Sequence, residues 1–409
     1  MNALSVRALA VTGIALLAAC SGGSTNPSLP AAAPGAAPAH AAMTLMAAGP
    51  GATRQACPDI PAPGFARCLA VIRTDVAVRS GLQPQVFGYG PSDLQSAYNL
   101  PSSTAGKGQT IGIVDAFDDP NAESDLAVYR KNFGLTECST KNKCFLKVGQ
   151  SGSPTKLPKP NAGWAGEISL DLDMASAICP NCKILLVEAS TNRLVSLGKA
   201  VDRAVQMGAN VVSNSYGGGG GGGANQNYNH PGSIITASSG DGGYGLSSPC
   251  DYQTVVCIGG TSLNKGGGTR GWSETAWSGA GSACSHLVAK PSWQTDKGCT
   301  QRSEADVSAV ADPSTGVAFY DTYPSGGWGV VGGTSVASPV IAGVFALAAN
   351  ESSLNYAAGI WQAGGTSALN DVTQGSNGSC GKKIHYICNA GPGYDGPTGW
   401  GTPNGVGAF

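Results

Sequence analysis

Charge is scarce in this chain. Only 12% of its 409 residues are Asp, Glu, Lys or Arg, and the formal net charge is −1. No basic patch gathers these few charges, which argues against electrostatic capture of nucleic acid. Histidine is scarcer still: His40, His230, His286 and His385 are the four. None stands in a His-Gly-Thr context, and none lies between the first expected core strand and the Glu167 region. A histidine base therefore has no support in the sequence. Long apolar runs are lacking too. The stretch from Ala8 to Leu17, preceded by Arg7, is too short to span a bilayer. It reads as the centre of a secretory signal peptide at 1–19. No internal repeat is evident.

Glycine and cysteine are what the chain has instead. The 61 glycines imply many tight turns. The length suits one large α/β domain with an N-terminal extension, or two smaller domains. Leu17-Ala18-Ala19-Cys20 resembles a bacterial lipobox, in which Cys20 becomes the lipidated first residue; the alternative is a plain signal peptide with Cys20 incidental. Parity favours the lipobox. Setting Cys20 aside leaves twelve of the 13 cysteines, in close sequential pairs: Cys57/Cys68, Cys138/Cys144, Cys179/Cys182, Cys250/Cys257, Cys284/Cys299 and Cys380/Cys388. An even set in an exported chain reads as a disulfide framework, with short local loops the simplest connectivity. Cys179-Pro180-Asn181-Cys182 could instead be a redox or zinc motif, but no second pair at matching spacing accompanies it.

Residues 20–56, rich in Ala, Pro, Gly and Ser, read as a tether. Residues 57–90 read as a short prosegment or N-terminal extension, and 91–409 as the main domain. Short apolar runs bounded by turn residues predict strands in TIGIVDAF, KILLVEA, NVVSNSY, SIITASS and TVVCIGG. Helical patterns lie between them, notably LVSLGKAVDRAVQMG at 194–208. This alternation predicts an α/β fold with a mostly parallel central sheet and helices on both faces.

Three motifs carry chemistry. Residues 332–339 read GGTSVASP and run into the apolar VIAGVFALAA, so Ser335 stands at an expected helix N-terminus. There the macrodipole and free N–H groups favour developing negative charge. The plain alternative is a helix that merely begins with a capping serine. In WAGEISLDLDMASAICPNCKILLVEA at 164–189, Glu167 and Asp171 share a helix face. Two carboxyls in one site push their pKa values apart, which suits a base with an orienting partner. The alternative is a solvated acidic face that also includes Asp173. In ITASSGDGGYG at 235–245, Asp241 follows an expected strand, where open α/β sheets bind ligands. An ordinary Asp-Gly turn would read the same way.

The order Glu-x-x-x-Asp, Ser-Ser-Gly-Asp, Gly-Thr-Ser-x-x-x-Pro resembles the sedolisin family, serine-carboxyl peptidases with a subtilisin-like fold. The resemblance runs from about residue 90 to the C-terminus. It includes SNSYGG at 213–218, CIGGTSL at 257–263 and DVSAVADPSTGVAFYD at 306–321. It implies that Ser335 is the nucleophile, Glu167 the general base, Asp171 its orienting partner and Asp241 the oxyanion donor. It implies that Ser215, Tyr216, Gly217 and Gly218 pair with substrate backbone. It implies one Ca²⁺, held by Asp371 and Asp395 with backbone oxygens of Val372, Gly391 and Gly393; hard oxygen donors on a Gly-rich loop suit that ion.

The chain departs from the family in three places. The serine motif begins Gly-Gly rather than the more usual Ser-Gly, seven glycines run from 217 to 223, and the sequence before the core is too short for the family's large prodomain. The expectation is an exported monomer acting on proteins or peptides at acidic pH, at the bacterial cell envelope or outside the cell. Its contact with membrane would be through a lipid anchor alone. The rival expectations are a catalytically silent, calcium-stabilised binding protein and an ordinary subtilisin-like peptidase.

Overall fold

A computed structural model describes residues 51–219, 222–324 and 326–409. The expected signal peptide, Cys20 and nearly all of the expected tether lie outside the described residues, as do Gly220 and Gly221 of the glycine run.

The apolar runs become the centre of an eight-stranded sheet. Its parallel body is β4 (Thr110–Ala116), β5 (Phe145–Gly149), β6 (Lys183–Ala189), β7 (Val211–Asn214), β9 (Ile234–Ser238) and β10 (Val256–Lys265), in the spatial order β10-β9-β7-β4-β6-β5. Strand β11 (Trp272–Ala276) closes the edge antiparallel to β10, and β14 (Val307–Val310) pairs parallel with β10. The buried runs of β4, β6, β7 and β9 are mostly apolar, as expected for parallel strands covered on both sides, with Asp115 and Glu188 as buried exceptions. Helix α4 (Leu194–Gln206) spans the amphipathic segment and buries Leu194, Leu197, Ala200, Val201 and Ala204. Helix α1 (Pro91–Ala97) and α2 (Ala122–Asn132) both pack on the helix at Ala162–Ile178.

Helices α3 (Ala162–Ile178) and α5 (Thr334–Ala348) pack against each other and are buried almost all round. Asn161 starts α3, its side chain accepting from the amides of Gly163 and Trp164 at 3.1 and 3.2 Å. A helix of this kind should be apolar on every side. Yet α3 buries Glu167, Asp171 and Asp173 at 0–1% exposure. The alternative of a solvated acidic face is thereby excluded. Gly333 caps α5 at φ +101°, a backbone state open to glycine. Pro339 inside α5 has no N–H for the Ser335 carbonyl, and Ser215 Oγ lies 3.3 Å from that oxygen instead.

Residues 51–90 fold into the same unit as the rest of the described chain. Strand β1 (Thr53–Gln55) pairs with β3 (Val71–Arg73), and β3 with β16 (Gly327–Gly332), which pairs with β15 (Val317–Asp321); together they form a four-stranded sheet. Between β1 and β3, β2 (Arg67–Cys68) lies antiparallel on β8 (Tyr216–Gly217). Strands β12 (Cys284–Ala289) and β13 (Gln301–Ser303) make a separate hairpin.

Disulfides join Cys57–Cys68, Cys138–Cys144, Cys179–Cys182, Cys250–Cys257, Cys284–Cys299 and Cys380–Cys388. Cys179 and Cys182 are thus bonded to each other, which removes them as zinc ligands. Asp306, from the DVSAVAD motif, is a structural anchor. It is buried against Arg302 at 2.5 Å and accepts from the Cys257 amide and the Trp361 indole.

Candidate active site

The packing of α3 on α5 and the ends of β7 and β9 bring the three motifs to one place. Ser335 sits in the first turn of α5, fully buried, with its Oγ 3.3 Å from the Ser215 carbonyl oxygen. Glu167 faces it from α3, and the neighbouring Ser335 hydroxyl opposes the rise of its pKa. Glu167 Oε2 also accepts the backbone amides of Leu69 and Ala70, both at 2.8 Å. One turn further along α3, Asp171 Oδ1 accepts from Ser215 Oγ at 2.7 Å.

Burial pushes the carboxyls of Glu167 and Asp171 well above the usual range, and the charge of Asp115 adds to the shift on both. Asp115 itself, on β4, is pushed up to about 8 by burial. Neither of its carboxyl oxygens has a hydrogen-bond partner, and Glu167 Oε1 and Asp171 Oδ2 are alike. Buried carboxyls with no counter-ion must keep protons, so the three titrate as one unit. Asp115 is the site residue that sequence reasoning missed. Its signal was an acid near the carboxyl end of a buried parallel strand, in TIGIVDAF.

Asp241 approaches from the end of β9. Its Oδ1 accepts both the backbone N–H and the hydroxyl of Thr334, each at 2.8 Å. Its Oδ2 is covered and unpartnered, although the residue as a whole is only half-buried. Burial raises Asp241 to about 7 against the opposing pull of the Thr334 hydrogen bonds. With Oδ1 occupied as an acceptor, the proton belongs on Oδ2.

Ser215, Tyr216 and Gly217 are buried beside the catalytic set, and Gly218 is half-buried. Tyr216 and Gly217 form β8, and Gly218 exchanges backbone hydrogen bonds with Ser248. Among the described residues no histidine touches this set. His230 faces Asp202 at 3.1 Å, and His286 lies exposed on β12.

Asp371 and Asp395 come together separately in C-terminal loops. Gly393 N–H donates to Asp371 at 2.9 Å, and Gly391 N–H to Asp395 at 3.0 Å. Burial, with the Asp371 charge a lesser cause, raises Asp395 to about 7. Among the described residues neither acid has a cationic partner. Two adjacent carboxylates without a counter-charge, on a Gly-rich loop, fit a hard cation.

Buried acids extend beyond the site, and they set the pH dependence of stability. Burial raises Asp119 to about 6 and Glu188 to about 9, beside Asp115 at about 8. All three are fully buried. Each folded-state pKa exceeds its unfolded value of about 4, so the native state binds extra protons above that pH. The stabilisation is complete below about 4 and is lost as pH rises through the folded values. The melting temperature should therefore fall by on the order of 10 °C between pH 5 and 8, the effect of a few kcal/mol. Scanning calorimetry across that range checks it; a flat or rising profile would contradict the protonated state of these groups.

A family model described as the subtilase family matches residues 160–375. Kumamolisin of Bacillus sp. (strain MN-32) is 28% identical over 358 residues, covering 78% of this chain and 62% of the relative. Sedolisin of Pseudomonas sp. (strain 101) is 26% identical over 359 residues, covering 77% and 60%. The chain thus spans about three fifths of the length of these relatives. A solved structure of Pseudomonas sedolisin, a serine-carboxyl proteinase complexed with two molecules of pseudo-iodotyrostatin, superposes with a TM-score of 0.65. That match is 26% identical and covers 78% of this chain and 96% of the other. The fold is accordingly subtilisin-like.

Proposed function

The chain belongs to the subtilase family, and on that premise we propose that it is a serine-carboxyl endopeptidase working at acidic pH through an acyl-enzyme. One observation carries this reading. The Ser335 hydroxyl is flanked by a buried glutamate, Glu167, and by a carboxyl, Asp241, whose covered Oδ2 is suited to hold a proton. A nucleophile needs a base within reach and a donor where the oxyanion forms.

Ser335 Oγ attacks the scissile carbonyl while Glu167 takes its proton. Asp171, fixed by Ser215, stands beside Glu167 and tunes the charge of the pair. Asp115 extends that unit inward. The protonated Asp241 donates to the oxyanion, Glu167 returns the proton to the leaving amine, and water then hydrolyses the ester. Substrate backbone adds as a strand along Tyr216 and Gly217. Digestion of a denatured protein between pH 2 and 9 tests the reading: products should appear only on the acidic side and should require Ser335. Export, with Cys20 as a lipid anchor, belongs to the same proposal.

The ion that Asp371, Asp395 and the backbone oxygens of Val372, Gly391 and Gly393 would hold is structural, and the chemistry it supplies is charge neutralisation. A ligand bound only by the native state raises stability by mass action. A chelator should lower the melting temperature of the wild type and leave that of Asp371→Ala unmoved. Unmoved curves for both proteins would remove the site.

A further inference from the structure

Folding brings together cations that no run in the sequence announces. Two disulfide-closed loops, Cys284–Cys299 and Cys380–Cys388, carry Lys290, Lys297, Lys382 and Lys383 against a single acid, Asp296. With histidines neutral that is a balance of +3, in a chain whose net charge is −1. The loops meet around an open cavity of about 410 Å³, lined by Asp296, Lys297, Gly298, Lys383, Tyr386 and Tyr394.

Asp296 does not neutralise this cavity. Its side chain is 3% exposed and already holds Lys290 at 2.9 Å, the Ser303 hydroxyl at 2.9 Å and the Tyr386 hydroxyl at 2.5 Å. The Tyr386 oxygen also accepts the amides of Gly298 and Cys299, at 3.1 and 3.0 Å, which locks one loop to the other. Gly298 permits that contact, since a Cβ there would stand 2.3 Å from the Tyr386 ring. The rings of Tyr386 and Tyr394, both half-buried with centroids 6.0 Å apart, wall the cavity. Lys297 and Lys383 are exposed, and among the described residues neither has an ion pair. The cavity is thus preformed and carries uncompensated positive charge.

Its position ties it to the active site. Ile387, next to Tyr386, accepts a hydrogen bond from Ser282 Oγ through its carbonyl oxygen. Ser282 O accepts the Gly245 amide at 2.9 Å, and Asn377 O accepts the Tyr244 amide at 2.8 Å. Tyr244 and Gly245 line the same recess as Gly240 and Asp241. A polypeptide that enters this recess therefore runs beside a surface onto which the cationic cavity is built.

We propose that this cavity is an exosite for acidic substrate polypeptides, in which Lys297 and Lys383 hold Asp or Glu side chains that lie away from the cleaved bond. It rests on the peptidase reading above. Carboxylates are the anions a polypeptide offers, and an ammonium pairs with them through charge-assisted hydrogen bonds. Nucleic acid is the poorer occupant, because its affinity comes from neutralising many phosphates and the cavity offers two free lysines.

The test is equilibrium binding of fluorescent peptides to the full chain carrying Ser335→Ala, at low salt and about pH 5.5, where glutamate is ionised. A peptide with a run of glutamates should bind roughly tenfold more tightly than its glutamine counterpart, the scale of two exposed ion pairs. Lys297→Gln combined with Lys383→Gln should erase that preference and leave the melting temperature unmoved, since neither lysine holds an ion pair in the fold. High salt should erase it too, by screening. With Ser335 intact, glutamates flanking a cleavable bond should lower KM by a similar factor with kcat unchanged, and the double lysine variant should treat both peptides alike. Equal binding of the two peptides, or a preference that survives the double variant, would overturn the exosite. So would inorganic phosphate binding at the two lysines without any glutamate preference. Hydrolysis of both peptides through Ser335 with no preference removes the exosite and leaves the peptidase reading standing. A lysine-dependent preference in binding without hydrolysis of either peptide keeps the acidic-peptide site and removes the peptidase reading.

Discussion

Ser335→Ala is expected to lower kcat/KM on a peptide substrate by at least about a thousandfold, with a melting temperature close to that of the wild type. Two features set these directions. The Ser335 hydroxyl contributes one long contact to the fold, 3.3 Å to the Ser215 carbonyl, so its loss leaves α5 packed. Its chemical role has no substitute nearby, because the neighbouring hydroxyls of Ser215 and Thr334 are committed to Asp171 and Asp241. Glu167→Gln should cost a similar factor, since it keeps the shape and the Leu69 and Ala70 amide contacts but removes the base. The double variant should be little worse than either single one, because groups that act as a unit lose their effect together. Retained turnover in Ser335→Ala, or additive losses in the pair, would show that the serine and the glutamate do not form one device.

Much of the parallel sheet was legible because its strands are short apolar runs punctuated by turns. TIGIVDAF, KILLVEA, SIITASS and TVVCIGG contain or overlap β4, β6, β9 and β10. The reason is physical: a strand buried on both faces is apolar at nearly every position. Helix α4 was legible from its single apolar face. Helix α3 was harder, since three acids in a wholly buried helix contradict its local character. Such a conflict between local pattern and burial marks a functional site.

The N-terminal segment was not legible. Strands of two or three residues carry no period, and β3 finds β16 more than 250 positions along the chain. Leu69 and Ala70 have no chemical signature of their own; only the fold sets them against Glu167. Asp115 was hidden for a similar reason. Its strand was plain, but which strand end meets α3 is decided by topology.

The pH profile of turnover follows from the same buried acids. Asp241 donates to the oxyanion only while protonated, and burial holds its proton up to about pH 7. Below that pH the donor is present, and as pH rises through it the rate should fall. The base must carry charge, so the rate should rise as pH climbs through the lower apparent pKa of the Glu167, Asp171 and Asp115 unit. Burial places that limb above the ordinary carboxylate range. Asp241→Ala should cost on the order of a hundredfold to a thousandfold in turnover, the usual loss for one oxyanion donor. Asp241→Asn keeps a donor that cannot titrate, so its residual activity should lack the alkaline limb. Stopped assays from pH 2 to 9 on the three proteins decide the matter. A wild-type optimum at pH 8 or above, or an Asp241→Asn profile that keeps its alkaline fall, would take the oxyanion role away from Asp241.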